Sequence, residues 1–189
     1  MKIVTLKTGN WYPEHDYVGA FHNSLKRHLT VPFEFACLTK SSLPSWWGKM
    51  DIFKAGGPII YSDLDMVICG NVDFLSEYQG EFCARENPWQ GAWCDAGLMS
   101  LSADACRHIA EAFFKAPQDI MRQYRSDQEF IGALVPPADT WQKLFPGKTS
   151  SFKADNLTGG PEGASIVHFH GKPKPHQLTN LSWVKEHWN

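Results

Sequence analysis

The spacing of apolar positions changes repeatedly along the chain and marks out alternating strands and helices. Ile3 to Leu6 is a short apolar run opening onto the polar turn Thr8-Gly9-Asn10, which predicts a buried strand ending in a loop. From His15 to Leu29, Val18, Phe21, Leu25 and Leu29 recur at helical spacing. Phe33 to Leu38, after Pro32, reads as a second strand, and Trp46 to Lys54 as a short helix closed by Gly56-Gly57-Pro58. A third strand begins at Ile59-Ile60-Tyr61 and ends in Ser62-Asp63-Leu64-Asp65. Gly97 to Leu101 is a further strand and Ala103 to Lys115 a further helix. Ser126 to Leu134 reads as a helix with Ser126 as N-cap and Glu129 completing a capping box. Pro136 to Gly163 is rich in Pro, Gly and polar residues, which predicts loop or weak structure. Ser165 to Phe169 is a late strand, and Trp183 to Trp188 a terminal helix.

Strands alternating with helices predict an α/β protein, a largely parallel sheet flanked by helices, with ligands just past the carboxyl ends of the strands. At 189 residues there is room for one domain, 1–189, with a core that needs no disulfide staples. The net charge of -2 gives no footprint of a nucleic-acid partner. Five cysteines, an odd number with no CxxC pair, argue against a disulfide framework or a zinc finger. No run reaches the roughly 18 apolar residues of a membrane span, and the N-terminal apolar run is too short for a signal peptide. The expectation is a cytoplasmic protein with reduced thiols. Eight Trp, twelve Phe and five Tyr make a ring-rich chain. Core packing accounts for most of them, but sugar-binding surfaces also use flat aromatic faces, which keeps Trp46, Trp47, Trp89 and Trp93 as candidates.

Candidate chemistry begins with two aspartates. Residues two apart on a strand share a face, so Asp63 and Asp65 are expected to project together. Two carboxylates side by side repel unless a cation lies between them, and hard oxygen ligands suit Mg²⁺ or Mn²⁺. The pair alone says little, since eleven Asp in this length give roughly 0.6 such pairs by chance. Context comes from the C-terminal block Ile166-Val167-His168-Phe169-His170-Gly171-Lys172-Pro173-Lys174-Pro175-His176. A histidine ending a strand can add an imidazole to the carboxylate pair, and a mixed N/O set favours Mn²⁺. Gly171 permits close backbone approach to a ligand, and Lys174 offers a compact cation for a phosphate.

The block His168, Gly171, Lys174, Pro175 resembles the HxxGxxKP signature of glycosyltransferase family 8, which includes glycogenin and bacterial lipopolysaccharide galactosyltransferases. Tyr61-Ser62-Asp63-Leu64-Asp65-Met66-Val67 resembles the same family's metal-binding segment, roughly a hundred residues upstream and in the right order. The resemblance implies a GT-A type, Rossmann-like nucleotide-binding fold and a hexose transferred from a UDP-sugar with retention of configuration. It implies that Asp63, Asp65 and His168 are metal ligands for Mn²⁺ or Mg²⁺, and that Gly171 and Lys174 touch the donor diphosphate. Thr8 and Tyr12 resemble positions that cradle the uridine, and Lys49 a basic residue contacting the donor. Asp95-Ala96-Gly97 is similar to the family's Asn-Ala-Gly sugar turn, and Asp127-Gln128 to its Asp-Gln pair beside the reacting carbon. By this resemblance Asp95, Asp127 and Gln128 are the catalytic candidates.

Two departures bear on specificity: Asp95 stands where the family has Asn, and His176 where it usually has Trp. The chain is also shorter than typical members, which predicts reduced acceptor-binding elements, and the acceptor stays open. Two other readings compete. A nucleotidyltransferase also holds a nucleotide on an α/β sheet with metal-binding carboxylates, but it usually carries a Gly-rich basic loop after its first strand, which Thr8-Gly9-Asn10-Trp11 is not. A non-catalytic nucleotide- or glycan-binding module would have no need of the intact Asp63, Asp65, His168 and Lys174.

Overall fold

The structure is a computed structural model describing residues 1–8, 15–89, 94–136 and 139–189. The first half contains β1 (Lys2–Leu6), α1 (Tyr17–His28), β2 (Glu34–Leu38), α2 (Lys49–Lys54), β3 (Ile59–Ser62), β4 (Met66–Ile68) and β5 (Phe82–Arg85). Then come β6 (Asp95–Leu101), α3 (Ala103–Lys115), α4 (Pro117–Gln123), α5 (Asp127–Leu134), β7 (Asp139–Thr140) and α6 (Trp141–Leu144). The chain closes with β8 (Thr149–Ser151), β9 (Ile166–His168) and α7 (Ser182–His187).

Six strands form the main sheet in the order β2-β1-β3-β6-β5-β7. The first three run parallel, β6 is antiparallel to both β3 and β5, and β7 returns parallel to β5, so the sheet is mixed. Alternation along the strands splits the core between two faces. Val4, Tyr61 and Met99 point to the side packed by Met50, Phe53, Ile109 and Phe113 of α2 and α3. Ile3, Ile60 and Leu98 point to the side packed by Tyr17, Phe21 and Leu25 of α1 and by Trp141 of α6. A smaller sheet, β4-β9-β8, carries its own cluster around Val67, Phe152, Val167, Phe169 and Trp183.

Helix starts follow local capping chemistry. Asp16 accepts from Gly19 N, Ser102 from Ala105 N and Ser126 from Glu129 N. The capping box expected at Ser126 closes differently: the Glu129 carboxylate takes Arg125 N at 2.7 Å, one residue earlier. The predicted helix from Trp46 is a 3₁₀ turn at Ser45–Gly48 running into α2. The segment expected to be loop, Pro136 to Gly163, contains β7, α6 and β8, three elements of four residues or fewer. Strands that short carry too little alternation to be read by period.

Candidate active site

β3 leaves the main sheet at Ser62, and after three intervening residues β4 enters the small one at Met66. The Asp63-Leu64-Asp65 turn therefore bridges two sheets, and both have a hold on it. Asp63 N donates to Gly97 O on β6 at 2.7 Å, while Phe169 N, just past β9, donates to Asp65 O at 2.9 Å. The antiparallel pairing of β4 with β9 sets Met66 opposite His168, so the histidine arrives beside Asp65 by register. Strand alternation was expected to bring the two carboxylates together. Only Ser62 is still in the strand, and a turn pinned from both sides does that work instead.

Around this turn lies a cleft of about 310 Å³. Ten of the eleven residues singled out from the sequence line it: Thr8, Lys49, Asp63, Asp65, Asp95, Asp127, Gln128, His168, Gly171 and Lys174. The eleventh, Tyr12, falls outside the described residues, as does Trp93. Trp46 and Trp89 also line the cleft, and at 38% and 51% exposure they are the exposed large hydrophobic residues of the described chain. Trp47 is buried in the core against Phe113.

Two buried charge networks divide the floor. In the first, Lys49 Nζ lies 2.8 Å from Asp127 Oδ2, 3.4 Å from Asp63 Oδ1 and 3.1 Å from Ala96 O. Burial alone would lower the lysine's pKa, but Asp127 and Asp63 outweigh it and hold Lys49 firmly charged. Tyr61 Oη donates to Asp63 Oδ1 at 2.6 Å. Burial raises the Asp63 pKa in spite of Lys49.

The second network centres on His168. Its Nε2 is 3.4 Å from Asp65 Oδ1, and its Nδ1 is 2.9 Å from Asp95 Oδ2. Burial opposes the charged ring, yet Asp95 and Asp65 together push its pKa up to about 9. Lys174 Nζ contacts Asp65 Oδ2 and donates to Phe169 O. His168 and Lys174 overcome burial and keep Asp65 well below the usual carboxylate range. His170 responds in the opposite sense: burial and the neighbouring His168 lower it to about 4.

Whether a divalent cation suits these residues can be judged from the donors. Asp63, Asp65 and His168 each offer a ligand atom, all within 4.8 Å of one another. Asp65 Oδ1 is buried and makes no hydrogen bond, only the 3.4 Å ion pair with His168 Nε2, so it has a lone pair open to a cation. The donor set, two carboxylates and an imidazole, fits Mn²⁺ or Mg²⁺. A second trio, Asp95, His168 and His170, is equally compact, but Arg85 already holds its carboxylate.

Sequence reasoning passed over three residues of this site. Arg85, 1% exposed, reaches Asp95 Oδ2 through Nη1 at 2.6 Å. Asn87 and His170 line the cleft near Trp89. The one available signal for Arg85 was Asp95 itself, since a carboxylate in a buried turn requires a cationic partner.

No protein-family model matches the chain, and no curated protein matches it by sequence. Solved structures do match. The galactosyltransferase LgtC, solved with donor and acceptor sugar analogs, superposes with a TM-score of 0.71 at 13% identity, over 98% of this chain and 93% of that one. The glycosyltransferase GlyE of Streptococcus pneumoniae TIGR4 gives 0.61 at 15% identity, covering 92% of this chain and 56% of GlyE. A glycosyltransferase involved in glycosylation of the major capsid of PBCV-1 gives 0.60 at 12% identity, over 96% and 99%. The chain has the GT-A glycosyltransferase fold, as the motif resemblance implied. No helix among the described residues is long and apolar enough to cross a membrane.

Proposed function

We propose that this chain is a metal-dependent glycosyltransferase that moves a hexose from a UDP-sugar to an acceptor hydroxyl with retention of anomeric configuration. The observation that carries the reading is the convergence of Asp63, Asp65, His168 and Lys174 in one cleft, from segments roughly a hundred residues apart. On this reading residues 1–189 act as one catalytic domain. The five unpaired cysteines suit a reducing, cytoplasmic setting.

Asp63, Asp65 and His168 would hold the cation, Mn²⁺ or Mg²⁺. When bound, it supplies Lewis-acid neutralisation of the donor diphosphate. Lys174 adds a point charge for the phosphate oxygens as the leaving group departs, where charge develops in the transition state. Gly171, with φ of 66°, turns the backbone toward the same region. Thr8, just past the carboxyl end of β1 and donating to Ser45 O, would face the uridine. Lys49 fixes Asp127 and Asp63 in place through its two ion pairs. Asp127 and Gln128 then face the sugar from the start of α5, the first to bind a hydroxyl and the second to stabilise positive charge at the anomeric carbon.

The bond from the anomeric carbon to the diphosphate oxygen breaks as the acceptor oxygen forms its bond on the same face. The acceptor proton passes to the departing phosphate oxygen, leaving glycoside and UDP. Donor hydrolysis and transfer, assayed with and without Mn²⁺, test the reading. Metal-stimulated release of UDP and an α-linked product from an α-linked donor are expected. A β-linkage by NMR would require an inverting base and would overturn the mechanism.

A further inference from the structure

The two ring nitrogens of His168 have different neighbours. Nε2 faces Asp65 Oδ1 at 3.4 Å. Nδ1 has two neighbours of opposite character, Asp95 Oδ2 at 2.9 Å and Arg85 Nη1 at 3.0 Å. A neutral imidazole ligates through the nitrogen that carries no proton, and the hydrogen bond made by the other nitrogen decides which one that is. When Nδ1–H donates to Asp95, Nε2 presents its lone pair toward Asp65. When Arg85 donates to Nδ1 instead, the proton sits on Nε2 and that nitrogen cannot ligate.

We propose that Asp95 fixes His168 in its ligating tautomer, and that Arg85 is a positioning residue that holds Asp95 to this task. The inference rests on the metal-dependent reading above. Three features carry it. The β5–β6 register jumps between Ala84, paired with Met99, and Arg85, paired with Asp95, so an irregularity in the sheet sets the guanidinium across from the carboxylate. The pair is buried, with Arg85 1% and Asp95 4% exposed, and its contact is 2.6 Å. Asp95 Oδ1 accepts Gly97 N at 2.8 Å, so both carboxylate oxygens are engaged by the protein. Where the resembled family has Asn, this chain has a stronger acceptor for Nδ1–H, and Arg85 cancels the charge it brings. Asp95 on this account orients a metal ligand rather than binding a sugar hydroxyl.

A proton fixed on Nδ1 has a signature that a merely structural pair would not. With Asp95 present, Arg85 supports metal binding; with Asp95 gone, Arg85 opposes it. Mn²⁺ affinity of the full chain, read by electron paramagnetic resonance, distinguishes the cases. Asp95→Ala is expected to weaken Mn²⁺ about 10–100-fold, the usual range for a lost partner of a metal-bound histidine. Arg85→Met alone weakens it as well, whereas Asp95→Ala/Arg85→Met binds more tightly than Asp95→Ala. Should the Ala variants not fold, the near-isosteric Asp95→Asn replaces them: adding Arg85→Met to it is expected to tighten binding. Wild-type affinity in Asp95→Ala overturns the proposal, as does a second substitution that deepens the loss in either series. A wild-type protein that binds no Mn²⁺ sinks the metal reading itself, and this inference with it.

Discussion

Gly97→Ala places one methyl group where the two halves of the site meet. A Cβ at this position would lie 2.6 Å from His168 Cε1, 2.9 Å from Asp95 Oδ1 and 3.0 Å from Met66 Cε. Carbon–carbon contacts relax only at about 3.5–4.0 Å, so the imidazole must retreat by about 1 Å. It has little freedom to do so, because Nδ1 is tied to Asp95 at 2.9 Å and the histidine backbone is paired with Met66. Overpacking of this kind costs about 1–3 kcal/mol. For a chain of this length each kcal/mol lowers the melting temperature by about 2–4 °C, giving a drop of roughly 2–12 °C. A 1 Å displacement of a ligand should also cost about 100-fold in turnover. The assays are thermal unfolding in metal-free buffer, Mn²⁺ titration and sugar transfer. Gly159→Ala, where an added Cβ meets nothing within 4 Å, is the control and should change none of them. A Gly97→Ala protein with wild-type melting and wild-type Mn²⁺ affinity would refute the packing argument.

Three further predictions concern other parts of the molecule. Lys49→Met strands Asp127 as a buried carboxylate without a cation, takes a partner from the half-buried Asp63, and should cost about 3–5 kcal/mol in urea unfolding. Asp65→Asn keeps the shape of the side chain but halves its ligating capacity; transfer should be abolished while circular dichroism is unchanged, and wild-type turnover would contradict the ligand assignment. At the surface, hydrogen bonds from Asn71 and Thr30 hold Asp73 down at about 2. A depressed folded-state pKa means stability that is present above the unfolded value of about 3.9 and lost as pH falls toward 2. The melting gap between wild type and Asp73→Ala should therefore be open at neutral pH and close across that window.

The parts of the fold legible in the sequence are those with sustained periodicity. α3 runs from Ala103 to Lys115, as its apolar spacing indicates; β1, β2 and β9 fall within a residue of their expected bounds, and β3 begins at Ile59 as expected but stops at Ser62, short of the aspartates. The short β4, β5, β7 and β8 escaped because segments of two to four residues cannot display a period, and their pairing depends on partners outside the segment. The site divides along the same line. Asp63, Asp65, His168, Gly171 and Lys174 were legible because their spacing within two short segments is itself the signal. Arg85 was not, since only a sheet irregularity sets it across from Asp95. His170 stands between two motif residues at a position the motif leaves open, and a ring there acquires meaning only once Asp95 is known to lie 3.7 Å away.

The most direct test of the account is isothermal titration of the full chain with UDP, with GDP as control, in the presence and absence of Mn²⁺. Saturable UDP binding that requires Mn²⁺ and exceeds that of GDP is expected. Absence of binding by either nucleotide, with Mn²⁺ present and the protein folded, would contradict the donor site and leave the cleft to a non-catalytic role.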